Sequence, residues 1–431
     1  MYVSGALALL LAESLLLVRG KGALPVSGLA LFLMFYAFSY AVKNTKTLAG
    51  LTFTFQIFAF CALAMYFPAT FTDWGFNTNL LIVPSVQIIM FGMGTKLSLA
   101  DFAREFRRPA KILVATALGY ILMPLSGLLI INVLFHFPAE VAAGIILIAV
   151  CPTGAASNVM TYLARGNLAL ALSVTMLATF ISPFATPLIM QICAGHLIKV
   201  NTVGMMVGIL NMVIVPVCAG LICNKILYGK LAWFGKAGNL LALAALCFLA
   251  GMALIFVPFA ASVTALQSGL VLVFWAVAAV SFTKMMVARA GGPENWMDMV
   301  LPKLSLTSIM LYIVIVAAHN KDTLLSIGPA LFVATIALNF FGFVLGWVSA
   351  KALRLDDADT RALVIQVGLK NAGVGVGLAQ DVLHSTAAGL ASLIFGTWMN
   401  VSGSTLANFW RQRAPRVREA PETVPAAQSR A

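Results

Sequence analysis

Charge is what this chain of 431 residues has least of: 10% of its residues are Asp, Glu, Lys or Arg, against 61% hydrophobic. A soluble domain carries about 25% charged residues, so a surface wetted on all sides is excluded and the chain reads as an integral membrane protein. Acidic side chains are scarcest, 14 in all. Nearly all fall between the apolar stretches, at their ends or in the C-terminal tail, and Glu13 is the only one well inside a stretch. Paired carboxylates at membrane depth are therefore missing, along with any His-Glu-x-x-His motif or Ser/His/Asp set at that depth, and the chain is not read as an enzyme. The six cysteines, Cys61, Cys151, Cys193, Cys218, Cys223 and Cys247, lie in or at the ends of apolar stretches without metal-ligand spacing. They read as small core hydrophobes rather than a disulfide framework, and no cofactor is expected. The two-residue alternation of a membrane barrel is absent too, which leaves helices.

What is present is a succession of apolar stretches of about 20 residues, the length of a membrane-crossing helix. About fourteen are expected, at 3–18, 24–42, 48–69, 79–98, 110–134, 140–163, 168–194, 202–226, 237–259, 265–287, 299–318, 327–350, 362–380 and 387–410. The first resembles a signal peptide in length, but it lacks a basic start and carries Glu13, so it is kept as a membrane segment. The net charge of +13 does not point to nucleic acid, because the basic residues are spread over short connections. Arg104, Arg107, Arg108, Lys111, Arg165, Lys225, Lys230, Lys236, Lys351, Arg354 and Arg361 fall on alternate connections. The positive-inside bias puts these and the C-terminus in the cytoplasm of a multi-pass protein, expected in a bacterial plasma membrane. Arg19 and Lys21 fit this topology less well. His136, His196, His319 and His384 then sit at or beside outer ends, which excludes a histidine proton relay through the membrane centre. Arg411, Arg413, Arg416 and Arg418 amid Pro and Ala read as a disordered, lipid-facing end.

Two stretches are interrupted by polar and glycine-rich segments: Pro152-Thr153-Gly154-Ala155-Ala156-Ser157-Asn158, and Gln366-Val367-Gly368-Leu369-Lys370-Asn371-Ala372-Gly373. Each falls in the fourth span of a five-span unit, and the two units run in opposite senses. That is the pattern of a secondary transporter built from inverted repeats with discontinuous helices. The expected organisation is extra N-terminal spans in 1–45, a first repeat in 46–200, the start of a second in 201–230, an inserted helical hairpin in 231–296, the rest of the second repeat in 297–412, and a tail in 413–431. A lysine inside a membrane span costs roughly 2.5–3.5 kcal/mol on insertion scales, so Lys370 marks a site. Its ammonium fills the space of a cation and donates three hydrogen bonds. It either exchanges a proton during transport or stands as a permanent structural charge holding the breaks together. Thr153, Ser157, Asn158, Thr175 and Gln366 supply neutral oxygens suited to sodium. Asn371, Gly373 and Asn400 are candidates for a substrate cavity, with cross-helix bonding the other reading of Asn400. Gln87 and Met90–Met93 read as packing. Pro124, Pro152, Pro183 and Pro187 mark kinks or helix ends.

At these residues the chain resembles the bile acid:sodium symporter family. The resemblance rests on Ile89-Met90-Phe91-Gly92-Met93-Gly94, on Cys151-Pro152, on the run Ser157-Asn158-Val159-Met160-Thr161-Tyr162-Leu163-Ala164-Arg165-Gly166-Asn167, on Val367 through Gly373, and on Asn400-Val401-Ser402-Gly403-Ser404. It covers roughly 48–230 and 299–412, leaving the N-terminal spans and the hairpin as additions. It implies a panel domain, a core domain, two discontinuous helices crossing at the centre, and alternating access for organic anions of the bile-acid, pantothenate or keto-acid kind. By matching position, a first sodium site falls on Ser157, Asn158, Ala171, Thr175 and Gln366. A second falls on Gly119, Gln366, Lys370 and the backbone of Val367 and Leu369. The chain departs from the family pattern at several of these positions. Gln366 stands where the family has a glutamate, Lys370 and Gly119 where it has glutamines, and Ala171 where it has a serine. Three readings follow: an organic-anion transporter in which Lys370 replaces one sodium ion, a conventional sodium symporter, or a transport-inactive membrane sensor or assembly subunit.

Overall fold

A helix that is apolar on every side belongs inside a bundle, and the computed structural model of this chain places its two interrupted helices there. It describes residues 25–43, 52–96, 109–229, 232–257, 264–293 and 295–413. The expected span at 3–18 with Glu13, the loop arginines Arg104, Arg107 and Arg108, and the tail from 414 onward lie outside the described residues.

Among the described residues the structure is helical, apart from one isolated bridge between Asp73 and Asn77. The helices used below are α1 (Pro25–Lys43), α2 (Thr52–Tyr66), α3 (Ile82–Gly94), α4 (Pro109–Leu134), α5 (Ala139–Val150), α6 (Ala156–Leu163), α7 (Leu168–Ala194), α8 (Thr202–Tyr228), α9 (Ala237–Ile255), α10 (Thr264–Arg289), α11 (Trp296–His319), α12 (Lys321–Ala352), α13 (Asp357–Gly368), α14 (Ala372–Asp381) and α15 (Thr386–Arg411). Each stretch expected from 24–42 onward has a helix or a helix pair at its place. Eight segments among the described residues are long and apolar enough to cross a membrane: α4, α7, α8, α9, α10, α11, α12 and the α13–α14 pair. This is a multi-pass architecture, in which α1, α2, α3 and α5 are shorter apolar helices. Pro124, Pro183 and Pro187 lie inside continuous helices; only Pro152 ends one.

The helices pack in two groups. α4, α5, α7, α12, α13, α14 and α15 lie against one another, while α2, α3, α8 and α11 form a second set. α1 packs on α2, and the α9–α10 hairpin packs on α8. Lys284 of α10 reaches the carbonyls of Ile226 and Leu227 at the end of α8, and the hairpin shares a small apolar core with Cys223 and Ile226. α1 and the α9–α10 hairpin thus enlarge the second group. Within it α3 and α8 cross backbone to backbone: a Cβ on Gly94 would lie 2.3 Å from the Val217 carbonyl oxygen. Small residues at such crossings permit the close approach that packs membrane helices.

Local chemistry ends the two central helices. Pro152 carries no amide hydrogen and forces Cys151 out of the helical region (φ −62, ψ 151), so α5 stops at Val150. After Gly368 the chain extends at Leu369 (φ −107, ψ 127). Asn371 then caps α14, its side chain accepting from the Val374 amide at 3.3 Å. The sequence from Asp359 to Gly368 and from Ala372 to Ala379 is buried throughout, as is α5 from Val141 to Val150.

Candidate functional site

The two breaks meet. The Asn371 amide donates to the Pro152 carbonyl at 2.8 Å, and the Thr153 hydroxyl reaches the Gln366 carbonyl at 3.4 Å. A Cβ on Gly154 would lie 2.9 Å from the Lys370 carbonyl oxygen, so glycine is what lets the two backbones touch. α6 and α14 both begin at this crossing, and the start of a helix carries unpaired amides and a partial positive charge.

Next to the crossing, α6, α7 and α13 bring Asn158, Thr175 and Gln366 together. The Thr175 hydroxyl oxygen lies 3.0 Å from Asn158 Oδ1, 3.1 Å from Gln366 Oε1 and 2.9 Å from the Ala171 carbonyl. A hydroxyl has one proton to donate, so three acceptors around it leave an excess of oxygen lone pairs. Gln366 Nε2 donates to Asn158 Oδ1 at 3.1 Å and ties the set together. Thr175 is fully buried and Gln366 nearly so. The donor set is neutral and made of oxygens, with no cluster of three or more His, Cys, Asp or Glu among the described residues. It fits a hard monovalent cation and does not fit a transition metal. Of the residues expected here, Ser157 stands apart: its hydroxyl donates back to the Gly154 carbonyl at 2.7 Å, satisfying the break itself.

Lys370 is 2% exposed. Its ammonium donates to the Gly119 carbonyl of α4 at 2.9 Å and lies 5.6 Å from the centre of the Tyr120 ring. The Tyr120 hydroxyl in turn donates to the Ala178 carbonyl at 2.9 Å. The amine is therefore inside the protein at the position that sequence comparison assigned to a second ion, held by a carbonyl and a π-face rather than by a carboxylate.

A cavity of about 250 Å³ lies against the crossing, where the two helix groups meet. Gly154, Ala155 and Ala156 line it from one break, and Lys370, Asn371, Ala372 and Gly373 from the other. Asn371, Gly373 and Asn400 all line it. Among the described residues Asn400 bonds within its own helix, its amide donating to the Gly396 carbonyl at 2.7 Å. Met90, expected as packing, also lines the cavity and accepts a long contact from Asn371 Nδ2 at 3.6 Å. Gln87 is a polar tie and not simple packing, donating to the Asn211 carbonyl at 3.2 Å.

Sequence reasoning missed several residues. Asn339 donates to the Gly368 carbonyl at 2.9 Å and accepts from Ser402 at 2.6 Å, so it satisfies an oxygen freed where α13 ends. Its signal was available, an amide inside an apolar span. Arg361, expected as a loop charge, is buried in α13 and donates to the carbonyls of Ala164, Trp410 and Arg413. Asp359, also buried, pairs with Lys111 and accepts from Asn167 Nδ2 at 2.8 Å. These charges sit where helices end, and adjacent sequence does not distinguish such a position from a loop.

Two interrupted helices crossing through backbone contact, beside a buried oxygen cluster and a cavity, define the architecture of a secondary transporter. A model of the Sodium Bile acid symporter family matches residues 83–269. The chain is 30% identical over 375 residues to the uncharacterized sodium-dependent transporter YocS of Bacillus subtilis, covering 87% of this chain and 95% of that protein. It is 27% identical over 371 residues to the chloroplastic "Probable sodium/metabolite cotransporter BASS1" of Oryza sativa subsp. japonica, covering 85% of this chain and 74% of the relative. The chain belongs to the bile acid:sodium symporter family. Among solved structures, the sodium proton antiporter MjNhaP1 of Methanocaldococcus jannaschii aligns with a TM-score of 0.47 at 13% identity, over 90% of this chain and 98% of that one.

Proposed function

We propose that this protein is a secondary active transporter of a small organic anion, working by alternating access with one sodium ion and with the Lys370 ammonium in place of a second. The observation that carries this reading is the buried amine on the Gly119 carbonyl, beside an oxygen set that has more acceptors than protons. The sodium ion sits at Asn158, Thr175, Gln366 and the Ala171 carbonyl, while Ser157 holds the break. The two inverted five-helix units supply one broken helix each, with α2, α3, α8 and α11 as panel and the remaining central helices as core.

The substrate is an anion because the cavity is lined by the starts of α6 and α14, and Lys370 is the one charged residue among the described residues lining it. At about 250 Å³ the cavity falls below the roughly 300–1,000 Å³ of sites for drug-sized ligands. That favours a keto-acid- or pantothenate-sized molecule over a steroid. The names of the relatives support sodium dependence.

Uptake into proteoliposomes, with sodium and pH gradients imposed separately, tests the proposal. Anion uptake that rises with sodium along a hyperbola, one ion per anion, is expected. A strict requirement for two sodium ions would instead establish the conventional symporter.

A further inference from the structure

At the opposite end of α13 from the crossing, a second cleft of about 470 Å³ opens between α12, α13 and α15. Trp347, Lys351, Thr360, Arg361, Trp410 and Arg413 line it, and it shares no lining residue with the central cavity. Three cations here meet one carboxylate, Asp357, which has contacts of its own.

The cations are held largely by rings and carbonyls. Lys351 lies 5.9 Å from the centre of the Trp347 ring, Arg361 5.9 Å from that of Trp410, and Arg413 4.3 Å from that of Phe409. Arg361 also donates to the carbonyls of Ala164, Trp410 and Arg413 at 2.8, 3.2 and 3.1 Å. Between them Thr360 is 4% exposed, and its hydroxyl has no hydrogen-bond partner. A buried hydroxyl left unpaired calls for an explanation, and an acceptor entering the cleft supplies one. Positive charge with a donor hydroxyl fits a phosphate oxygen, for which guanidinium and ammonium groups are the usual partners.

Two features choose the source of that phosphate. Tryptophans concentrate where the bilayer meets water, and both walls of the cleft carry one. Its rim continues into apolar surface, with Trp347 and Phe409 each 49% exposed, which gives acyl chains a track that a soluble anion would not use. Basic pockets between membrane helices recognise anionic headgroups by this combination.

We propose that the cleft binds the phosphodiester headgroup of an anionic membrane lipid. The Thr360 hydroxyl donates to a phosphate oxygen, Lys351 and Arg413 supply charge from the rim, and the chains lie along Trp347 and Phe409. Because Arg361 already joins α13 to the ends of α6 and α15, a lipid there braces the helices that lead into the crossing.

The test uses the full chain, purified in detergent and titrated with phosphatidylglycerol, phosphatidylcholine or inorganic phosphate, reading the thermal midpoint and lipid retained in native mass spectrometry. Phosphatidylglycerol is expected to raise the midpoint saturably and to remain bound, while the other two do neither. A Lys351→Gln/Arg413→Gln double variant changes only exposed side chains. It should keep its midpoint in phosphatidylcholine and lose most of the response. Thr360→Val should weaken retention by about tenfold or more, the scale of one hydrogen bond to a charged group. Equal responses to phosphatidylcholine and phosphatidylglycerol, or a full response in the double variant, would overturn the proposal. A shift with inorganic phosphate as large as with lipid would overturn it in favour of a soluble-anion site.

Discussion

Replacing Lys370 by glutamine removes one positive charge from the crossing and leaves a neutral donor near the Gly119 carbonyl. Lys370 follows Gln366 by four residues, but α13 ends at Gly368 and the chain extends at Leu369, so the ammonium stands beyond the end of the helix that carries Gln366. At an effective dielectric of about 20, a unit charge roughly 6–10 Å from a bound cation costs about 1.7–2.8 kcal/mol. The variant should therefore bind sodium about 20- to 100-fold more tightly, since each 1.4 kcal/mol is about tenfold. Stability should not fall with it. The exchange loses a charge-assisted hydrogen bond of about 1.5–3 kcal/mol and a cation–π contact of up to about 2 kcal/mol. Burying an ion costs several kcal/mol, and that cost disappears as well. Isothermal titration of sodium into purified protein, with choline holding ionic strength constant, measures the affinity, and a melting curve checks the fold. A folded variant whose sodium affinity is unchanged within about twofold, or weaker, refutes the idea that the amine and the ion compete for this space.

Three further outcomes follow from the same geometry. Thr175→Val keeps the shape of α7 but removes the hydroxyl at the centre of the oxygen set, so sodium binding should weaken by about tenfold, a typical hydrogen bond's worth, and about tenfold more sodium should be needed for the same rise in melting temperature. Gly154→Ala puts a methyl group 2.9 Å from the Lys370 carbonyl oxygen; the breaks must part, at about 1–3 kcal/mol, read as a lower midpoint in detergent. Asn339→Leu leaves the Gly368 carbonyl without its donor and should cost about 1–3 kcal/mol in the same assay, with sodium affinity less affected than stability.

The helices and their interruptions were legible because bilayer crossing demands long apolar runs, and because Pro152 and the glycines around Lys370 cannot continue a helix unnoticed. The grouping of Asn158, Thr175 and Gln366 was legible through family resemblance; their spacing alone, over more than two hundred positions, would not have joined them. Side-chain direction was the part that escaped. Ser157 and Asn158 are neighbours of similar chemistry, yet one hydroxyl turns to its own backbone while the other residue's amide turns to α7 and α13. The same blindness affected Arg361 and Asp359, whose burial depends on which distant helix ends converge on them. Met90 looked like filler because a cavity wall and a packed core call for the same apolar side chain.

The amide-to-carbonyl bond from Asn371 to Pro152 has a mechanical implication. It fastens two chain segments some two hundred residues apart by main-chain atoms alone, so no side-chain exchange can release it. A joint riveted in that way makes a poor pivot. Any large displacement during a cycle has to carry the pair of half-helices as one piece, with slippage occurring at its boundary, where Met90 of α3 and Tyr312 of α11 line the cavity.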